Sequence, residues 1–313
     1  MKNLIGIDIG TSAVKLAQVS GGKVVHTVSS PLPGNPVQRG RVVSAEELGQ
    51  ALRQIRKKGK LKGRRCALVL PPEVAFVRRV TMPYMTENQL KTNLPYELQD
   101  YIQNTDEQYY YDYALLGVIN DEEGNPAELD LLAAATPRAV IEQYRAALEA
   151  AGLRLTLAVP QTLTYRNIIR AHEQEEAEHP EEYCIADMGH SAIRVHMYRG
   201  DAYETSRVIE YAGEELENLD NDADSARHEL FDRIALEIMR AINFYGFNTP
   251  DSNLQDIYFC GGLSQSEPLM EEIRSTLSLN CHPIEDLLPP MDDGRLEAQY
   301  GAAVGATLQG SGR

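Results

Sequence analysis

Short apolar runs separated by glycine turns open the chain and predict β-strands. Leu4–Ile9 is an apolar run interrupted by Asp8, which is typical of a buried strand. Val14–Val19 and Lys23–Ser29 lie on either side of Gly21-Gly22, which predicts a hairpin. The same criteria predict further strands at Cys66–Leu70, Ala75–Thr81, Tyr109–Val118, Leu129–Ala135, Leu153–Val159 and Asp256–Cys260.

Elsewhere the apolar residues recur every three or four positions, which predicts amphipathic helices. Capping boxes are predicted at Ser44–Glu47, Thr86–Gln89 and Ser264–Glu267, and Pro95 is expected to break or kink the helix that the second box begins. A helix is predicted with Thr136-Pro137 at its cap and Pro137 in its first turn. Further helices are predicted over Pro160–Ala171, through Phe231–Tyr245 and over Leu296–Leu308. The last of these contains small residues that allow a neighbouring element to approach closely. Glu173–Glu182 contains six glutamates and neither Lys nor Arg, so it is expected to be an exposed linker.

The first hairpin is repeated in the second half of the chain. Asp8 and Asp187 are 187 − 8 = 179 positions apart, and at the same offset Gly10 corresponds to Gly189. The correspondence extends from Ser12 to Ser191, from Lys15 to Arg194 and from Gly21 to Gly200. An internal repeat of this kind predicts two similar domains, each beginning with strand, turn and strand.

The residues in the repeated turn have the chemistry of a phosphate site. Gly10 permits a turn whose amide groups, with the hydroxyls of Thr11 and Ser12, can contact a phosphate. Asp8 cannot contact a phosphate favourably but can hold the water shell of Mg²⁺. A single Asp-Ile-Gly turn is also common in ordinary hairpins. Because there are two copies, we expect the turns to face each other and clamp one polyphosphate.

Composition excludes several classes of protein. The net charge of −16 over 313 residues argues against broad nucleic-acid binding. No apolar run is long enough to span a membrane, and the N-terminus does not have the pattern of a secretory signal. The four cysteines lack metal-ligand spacing and are expected to be free thiols in a reducing compartment. The basic run from Arg53 to Arg65 is either a solvated helix end or a contact with an anionic membrane surface or acidic partner.

A third feature, Gly261-Gly262 after a strand, is suited to close approach of a flat ring or a phosphate. With it, the chain resembles the actin-like ATPase superfamily. Ile7–Thr11 and Asp187–Ser191 resemble the two phosphate motifs, and Cys260–Ser264 resembles the adenosine motif. Val159–Tyr165 and Tyr300–Gly305 resemble the two connecting helices.

Within the superfamily the chain resembles PilM-type proteins of type IV pilus assembly, to which FtsA is related, through Arg78–Pro83, the Tyr-rich strand and Ala150–Leu153. The resemblance implies an α/β, actin-like two-lobe fold of duplicated ribonuclease-H-like domains with an inserted small α+β subdomain. It implies a first lobe of 1–71, 155–182 and 295–313, an insertion of 72–154, a second lobe of 183–212 and 251–294, and a shortened subdomain of 213–250.

The resemblance also implies a cytoplasmic protein, at the face of the inner membrane but not inserted in it, that binds ATP and Mg²⁺. Its implied partner is the cytoplasmic tail of a PilN-like membrane protein, and self-association is a further expectation; nucleic acid is not. Asp8 and Asp187 are the implied metal-positioning residues. The implied nucleotide contacts are Asp8, Gly10, Thr11, Ser12, Lys15, Asp187, Gly189, His190, Ser191, Gly261, Gly262 and Leu263.

Some features depart from the superfamily pattern. No Lys follows Lys91, the segment Gly213–Arg233 is short and acidic, and His190 is bulky. Arg227 or Arg233 is a candidate substitute for the missing Lys, and nucleotide affinity is expected to be weak or lost. Gln161 either orients an attacking water or only begins a helix, so at most weak ATPase activity is expected. An FtsA-like filament protein is the alternative, whereas a sugar kinase would need a dedicated base and larger insertions.

Overall fold

The computed structural model describes residues 4–102, 107–211, 224–291 and 296–308. Of the acidic segment Gly213–Arg233, the part up to residue 223 lies outside these residues. The strands are β1 (Leu4–Ile9), β2 (Ala13–Ser20), β3 (Lys23–Pro31), β4 (Val37–Gln38), β5 (Arg41–Val42), β6 (Arg65–Leu70), β7 (Phe76–Pro83), β8 (Tyr109–Asn120), β9 (Pro126–Pro137), β10 (Arg154–Pro160), β11 (Glu182–Met188), β12 (Ala192–Arg199), β13 (Ala202–Glu210), β14 (Asp256–Cys260) and β15 (Asn280–Pro283). The helices are α1 (Ala45–Lys58), α2 (Glu87–Gln99), α3 (Arg138–Ala150), α4 (Gln161–Glu175), α5 (Asp224–Asn248), α6 (Glu267–Thr276) and α7 (Gly301–Gly305).

Two five-stranded sheets with the same strand order form the two lobes. The first runs β3-β2-β1-β6-β10 and the second β13-β12-β11-β14-β15. In each, the first three strands are antiparallel neighbours and the last two are added in parallel. Ala192 and Ala202, which begin β12 and β13, lie 192 − 13 = 179 and 202 − 23 = 179 residues after the first residues of β2 and β3. The starts of these strands therefore differ by the same 179 residues as Asp8 and Asp187, as the predicted duplication requires.

A third sheet, β7-β9-β8, is antiparallel and carries helix α2. Leu90 and Leu94 of α2 pack on Leu131 and Val80, so this sheet and helix share a small core of their own. Thr86 and Gln89 form the predicted capping box at the start of α2. The helix continues through Pro95, where a break or kink was expected.

The packing of helix α7 depends on small residues. A Cβ atom on Gly6 of β1 would lie 1.8 Å from the carbonyl oxygen of Ala303 in α7. A Cβ atom on Gly305 would lie 2.2 Å from the carbonyl oxygen of Thr164 in α4. Helix α7 therefore contacts both β1 and α4 backbone to backbone, as its composition predicted. Among the described residues, no helix is both long and apolar enough to cross a bilayer.

Several local predictions are wrong. The C-terminal helix is short: a 3₁₀ turn over Ala298–Tyr300 precedes α7, which ends at Gly305. Ser264 does not cap α6, because its hydroxyl donates to the carbonyl oxygen of Gly261, and Ser266 is the N-cap instead. Pro137 is the N-cap of α3 rather than a first-turn residue, and no side chain caps that helix.

The predicted glutamate linker is also shorter than expected. Helix α4 extends to Glu175, and Glu182 belongs to β11 and is buried. Glu182 accepts hydrogen bonds from Tyr245 and Ser252 and pairs with Arg199 at 3.1 Å. These partners lie far along the chain, and they explain why an acid is tolerated inside the sheet. Cys66, Cys184 and Cys260 are buried free thiols, as predicted.

The close contact of α7 with α4 gives the first prediction. Gly305→Ala should lower the free energy of unfolding by about 1–3 kcal/mol, because the added methyl group overlaps the Thr164 carbonyl and forces the helices apart. Gly246→Ala is the matched control: Gly246 is exposed in α5 with open space around it, so alanine should stabilise by up to about 1 kcal/mol. Thermal unfolding of both variants measures the difference. Equal melting temperatures would contradict this packing.

Candidate functional site

The two repeated turns have the same backbone hydrogen bonds. The amide of Gly10 donates to the carbonyl oxygen of Ala13 at 2.9 Å, and that of Gly189 donates to Ala192 at 3.1 Å. A second backbone hydrogen bond joins each turn to a residue further along the chain. In the first lobe, the amide of Leu32 donates to the carbonyl oxygen of Ser12. The second lobe repeats this bond from Tyr211 to Ser191, again 179 residues later (211 − 32 = 179). The turns are therefore equivalent in structure as well as in sequence.

Close packing explains the glycine in each turn. Gly10 and Gly189 are not among the residues with positive φ. A Cβ atom would lie 3.2 Å from the Ala13 oxygen in the first turn and 2.7 Å from the Ala192 oxygen in the second. Any larger residue would push the amide away from the carbonyl oxygen that it binds, so glycine keeps the turn tight.

The two turns face each other. Thr11 Oγ1 lies 3.5 Å from Ser191 Oγ, although the residues are 180 apart in the chain. Ser12 is exposed beside Thr11, and His190 is half-buried beside Ser191. Two of the three hydroxyls predicted to contact phosphate, those of Thr11 and Ser191, thus meet where the lobes face each other, and we call this place the crevice.

Lys15 lies directly across the hairpin from Asp8. The two residues are register partners in β1 and β2, and Lys15 Nζ lies 3.3 Å from Asp8 Oδ2. The Asp8 carboxylate raises the pKa of Lys15, and Asp187 of the other lobe adds to the effect. Both acids therefore act on the ammonium group of Lys15, whose side chain is only 15% exposed.

Asp187 is the buried carboxylate of the site. Burial raises its pKa; Arg194 and Lys15 oppose this shift, and the Asp8 charge adds to it. Gln161, at the start of α4, donates its side-chain amide to Asp187 Oδ2. Gly261 has a φ of 85°, and a Cβ atom there would lie 2.6 Å from Asp187 Oδ1. The first residue of the Gly-Gly pair is thus required to make room for Asp187.

The rest of the predicted adenosine motif is more open. Gly262 is exposed, and a Cβ atom there would meet nothing within 4 Å. Leu263 is half-buried and packs against the core of the second lobe. The geometry leaves open space beside the backbone at Gly262, next to the crevice.

Arg194 is the counterpart of Lys15, but its partner is different. It pairs with Glu73, which follows β6 of the first lobe, so the ion pair joins the lobes at the crevice. Its Nη1 atom lies 3.4 Å from where a Cβ atom on Gly189 would stand. Its Nε–H is buried and has no hydrogen-bond partner among the described residues. Arg194 therefore has one unused donor beside the second turn.

The donors and acceptors in the crevice suit a hydrated cation and an anion. Gln161 Oε1 is a buried acceptor with no partner within the described part of the chain, and it lies beside the carboxylate of Asp187. Acceptor oxygens from Asp8, Asp187 and Gln161 match the water shell of Mg²⁺, which retains several waters in proteins. The turn amides, the hydroxyls and the Arg194 donor match phosphate oxygens.

Sequence reasoning missed three residues here. Glu73 carries no local signal, because its partner lies 121 positions away. Tyr211 donates its hydroxyl to the carbonyl oxygen of Gly189; the repeat offset from Leu32 could have identified its position. Tyr165 lies beneath Asp187 with Cys260, whose thiol lies 3.3 Å from the Tyr165 hydroxyl. Burial raises the pKa of Tyr165 well above its usual value, so it is a neutral donor.

Two lobes of equal strand order, with acid–glycine turns meeting between them, define the actin-like ATPase class of fold. Residues 6–224 match the family model described as Type IV pilus assembly protein PilM, and the chain belongs to that family. The predicted family and fold class are both confirmed.

Solved structures agree with this assignment. The chain is similar to the "PilM-PilN type IV pilus biogenesis complex", with a TM-score of 0.80, 19% identity and 97% of each chain covered. It is also similar to ethanolamine utilization protein EutJ from Carboxydothermus hydrogenoformans, with a TM-score of 0.57, 14% identity, and 99% of this chain and 90% of that chain covered. A third similar structure is the cytoplasmic domain of EpsL, an inner membrane component of the type II secretion system of Vibrio cholerae. Its TM-score is 0.51 at 12% identity, and 98% of this chain and 95% of that chain are covered. At these identities the structures establish a shared fold.

The charges in the crevice give the second prediction. Asp8, Asp187 and Glu73 face Lys15 and Arg194, so one carboxylate is in excess. Asp187→Asn leaves two balanced pairs and removes a buried charge, so it should stabilise the protein without ligand by on the order of 1 kcal/mol at neutral pH. The pKa of Asp187 is raised in the folded protein, so this carboxylate takes up a proton as pH falls and its buried charge is lost. The stability difference between Asp187→Asn and the native protein should therefore disappear in acid.

Asp8→Asn is the matched control, because it leaves Lys15 without its ion-pair partner and should destabilise. Melting temperatures of the two variants and the native protein, at neutral and mildly acid pH, measure the effects. Destabilisation by Asp187→Asn at neutral pH would contradict this electrostatic description.

Proposed function

We propose that this chain is an ATP-binding scaffold of type IV pilus assembly that holds the cytoplasmic tail of a PilN-like membrane protein at the inner face of the inner membrane. The observation that carries the proposal is the PilM family match over residues 6–224, which includes both turns and the inserted sheet. The similarity in fold to a PilM–PilN complex supports the same partner. A scaffold needs a bound partner more than rapid turnover, which agrees with the sparse catalytic groups of the crevice.

In the proposed site, Asp8 and Asp187 hold hydrated Mg²⁺, and Thr11, Ser12 and Ser191 contact phosphate with the amides of their turns. Bound Mg²⁺ supplies the positive charge that allows a polyphosphate to lie beside two carboxylates. The further proposed contacts are those of Gly10, Lys15, Gly189 and His190 with phosphate, and of Gly261, Gly262 and Leu263 with adenosine. Open space at Gly262 and the unused donor of Arg194 support this arrangement.

Gln161 is the proposed water-positioning residue. Its amide N–H is used by Asp187, which leaves its buried oxygen free to accept a hydrogen bond from water. An amide oxygen orients water but does not take its proton, so hydrolysis should be slow at most.

The partner tail is proposed to bind in the groove between the first lobe and the inserted subdomain. Arg41 of β5 pairs with Glu107, just before β8, at 3.3 Å, so the two parts meet there. Val43 and Tyr110, which flank this pair in sequence, are 58% and 41% exposed. Exposed apolar side chains beside an ion pair suit a peptide with mixed apolar and charged residues.

The third prediction concerns nucleotide. Lys15 and Arg194 are already paired with acids, so free ATP finds little uncompensated positive charge and binding should require Mg²⁺. Calorimetry should show heat with Mg-ATP, loss of that heat with a chelator, and at least tenfold weaker binding in Asp8→Ala. Glu122→Ala, in an exposed turn, should behave as the native protein. Equal heats in native protein and Asp8→Ala would remove the proposed site.

The fourth prediction concerns the partner. A labelled peptide with the sequence of the cytoplasmic tail of a PilN-like protein from the same genome should bind saturably in a fluorescence-anisotropy titration. Val43→Asp should weaken binding about tenfold or more, because it replaces an exposed apolar side chain of the proposed groove with a charge. Phe247→Asp, which changes an 85% exposed residue of the second lobe, should leave it unchanged. Failure of the native protein to bind the tail would contradict the scaffold proposal.

A further inference from the structure

The positive charge of the protein is concentrated at one edge of the first lobe. Residues 53–65 contain eight of the 30 basic residues and none of the 46 acidic ones, in a chain of net charge −16. They form the end of α1, the loop after it and the first residue of β6. Arg154, which begins β10, is the register neighbour of Arg65.

Two of these cations have structural partners. Arg53 donates to the carbonyl oxygen of Ala150, and Arg56 donates to those of Ala151 and Gly152, so both satisfy the C-terminal end of α3. The other cations of the edge are exposed, and none of them forms an ion pair with an acid of the described chain. They define the basic edge: Lys57, Lys58, Lys60, Lys62, Arg64, Arg65 and Arg154.

The loop that carries the basic edge is held firmly. Gln18 of β2 is 3% exposed and exchanges two hydrogen bonds of 3.0 Å with the backbone of Lys62. Leu61 is buried, and a Cβ atom on Gly59 would lie 2.5 Å from Val28 of β3. The backbone is therefore anchored to the first sheet while the cationic side chains point into solvent.

This arrangement is unfavourable without an anion. Arg65 and Arg154 are neighbours on adjacent parallel strands, where like charges repel. The hydrogen bonds of Gln18 to Lys62 hold the loop in place, and so keep the exposed cations of the basic edge close together. An anionic surface beside the loop would relieve the repulsion.

The location of the basic edge decides which anion fits. Strands β1, β6 and β10 are parallel and begin at this edge, whereas the crevice lies at their opposite ends. A large surface at the basic edge therefore leaves the crevice open. Residues 53–65 contain no aromatic side chain on which a nucleic-acid base could stack. Exposed lysines at an edge suit an extended layer of headgroups.

We propose that the basic edge is a membrane-docking surface that binds anionic phospholipid headgroups, with the acidic remainder of the protein directed away from the bilayer. Electrostatic attraction extends about 8 Å at physiological salt, so the edge feels the lipid surface while most of the acidic body does not. The proposal goes beyond the scaffold function and does not depend on it, because it requires neither nucleotide nor a partner tail.

Co-sedimentation of the full chain with lipid vesicles tests the proposal. Vesicles of equal parts phosphatidylcholine and phosphatidylglycerol should bind the protein at low salt, and phosphatidylcholine alone should not. Each cation near the surface contributes roughly fivefold to partitioning. The triple variant Lys57→Glu, Lys60→Glu, Lys62→Glu removes three cations and adds three anions, so it should bind at least about 100-fold more weakly. Raising the salt concentration should release the native protein.

The control is a second triple variant with the same change in net charge, Lys91→Glu, Arg240→Glu, Arg274→Glu, made at exposed sites away from the edge. It should bind within about threefold of the native protein, and unfolding curves verify that both variants fold. Equal loss in the two variants, or no binding of the native protein to anionic vesicles, would overturn the proposal. Tighter binding to a nucleic-acid fragment than to vesicles, or salt-sensitive dimers without lipid, would also overturn it by identifying a different occupant.

Discussion

The convergence of Asp8 and Asp187 on one buried ammonium group is the constraint on which the structure of the crevice depends. The acids come from equivalent positions in two copies of one hairpin, and each is the penultimate residue of its strand, at the end that faces the other lobe. Two carboxylates in a common crevice repel each other, and burial of Asp187 adds a cost that Gln161, Lys15 and Arg194 offset. The protein keeps an electrostatically unfavourable arrangement that a bound cation would relieve.

The rest of the fold supports this arrangement by packing the first lobe tightly and by holding the two lobes close. Helix α7 contacts β1 and α4 through glycines that leave no space for a side chain. The Arg194–Glu73 pair and the Thr11–Ser191 contact join the lobes at the crevice itself. Because Arg194 and Ser191 belong to the second lobe while Glu73 and Thr11 do not, relative movement of the lobes would change the site directly. Under the proposed function, such coupling would let nucleotide affect how the first lobe and the inserted subdomain present the proposed partner groove.

Much of the fold could be predicted from the sequence, because the signals are local. The strand β14 was predicted at its observed bounds, and the offset of 179 between Asp8 and Asp187 carried over to strands, turn bonds and register. The errors occur where a distant partner decides the outcome. Ser264 has the sequence pattern of a helix cap, but its hydroxyl donates to the carbonyl oxygen of Gly261. Glu182 has the sequence pattern of a linker residue, but it is buried and accepts hydrogen bonds from Tyr245 and Ser252. The two turns of the site could be predicted from the sequence. The role of Glu73 could not, because its partner Arg194 lies 121 residues away and no local sequence pattern indicates the pair.

Anomalous X-ray scattering from a crystal grown with Mn²⁺ in place of Mg²⁺ and a slowly hydrolysed ATP analogue would show whether the two turns share one metal ion. We expect one manganese peak between Asp8 and Asp187, with the phosphate chain between the Thr11 and Ser191 turns. Nucleotide density at another surface, or an Asp8–Asp187 crevice that stays free of metal at saturating analogue, would contradict it.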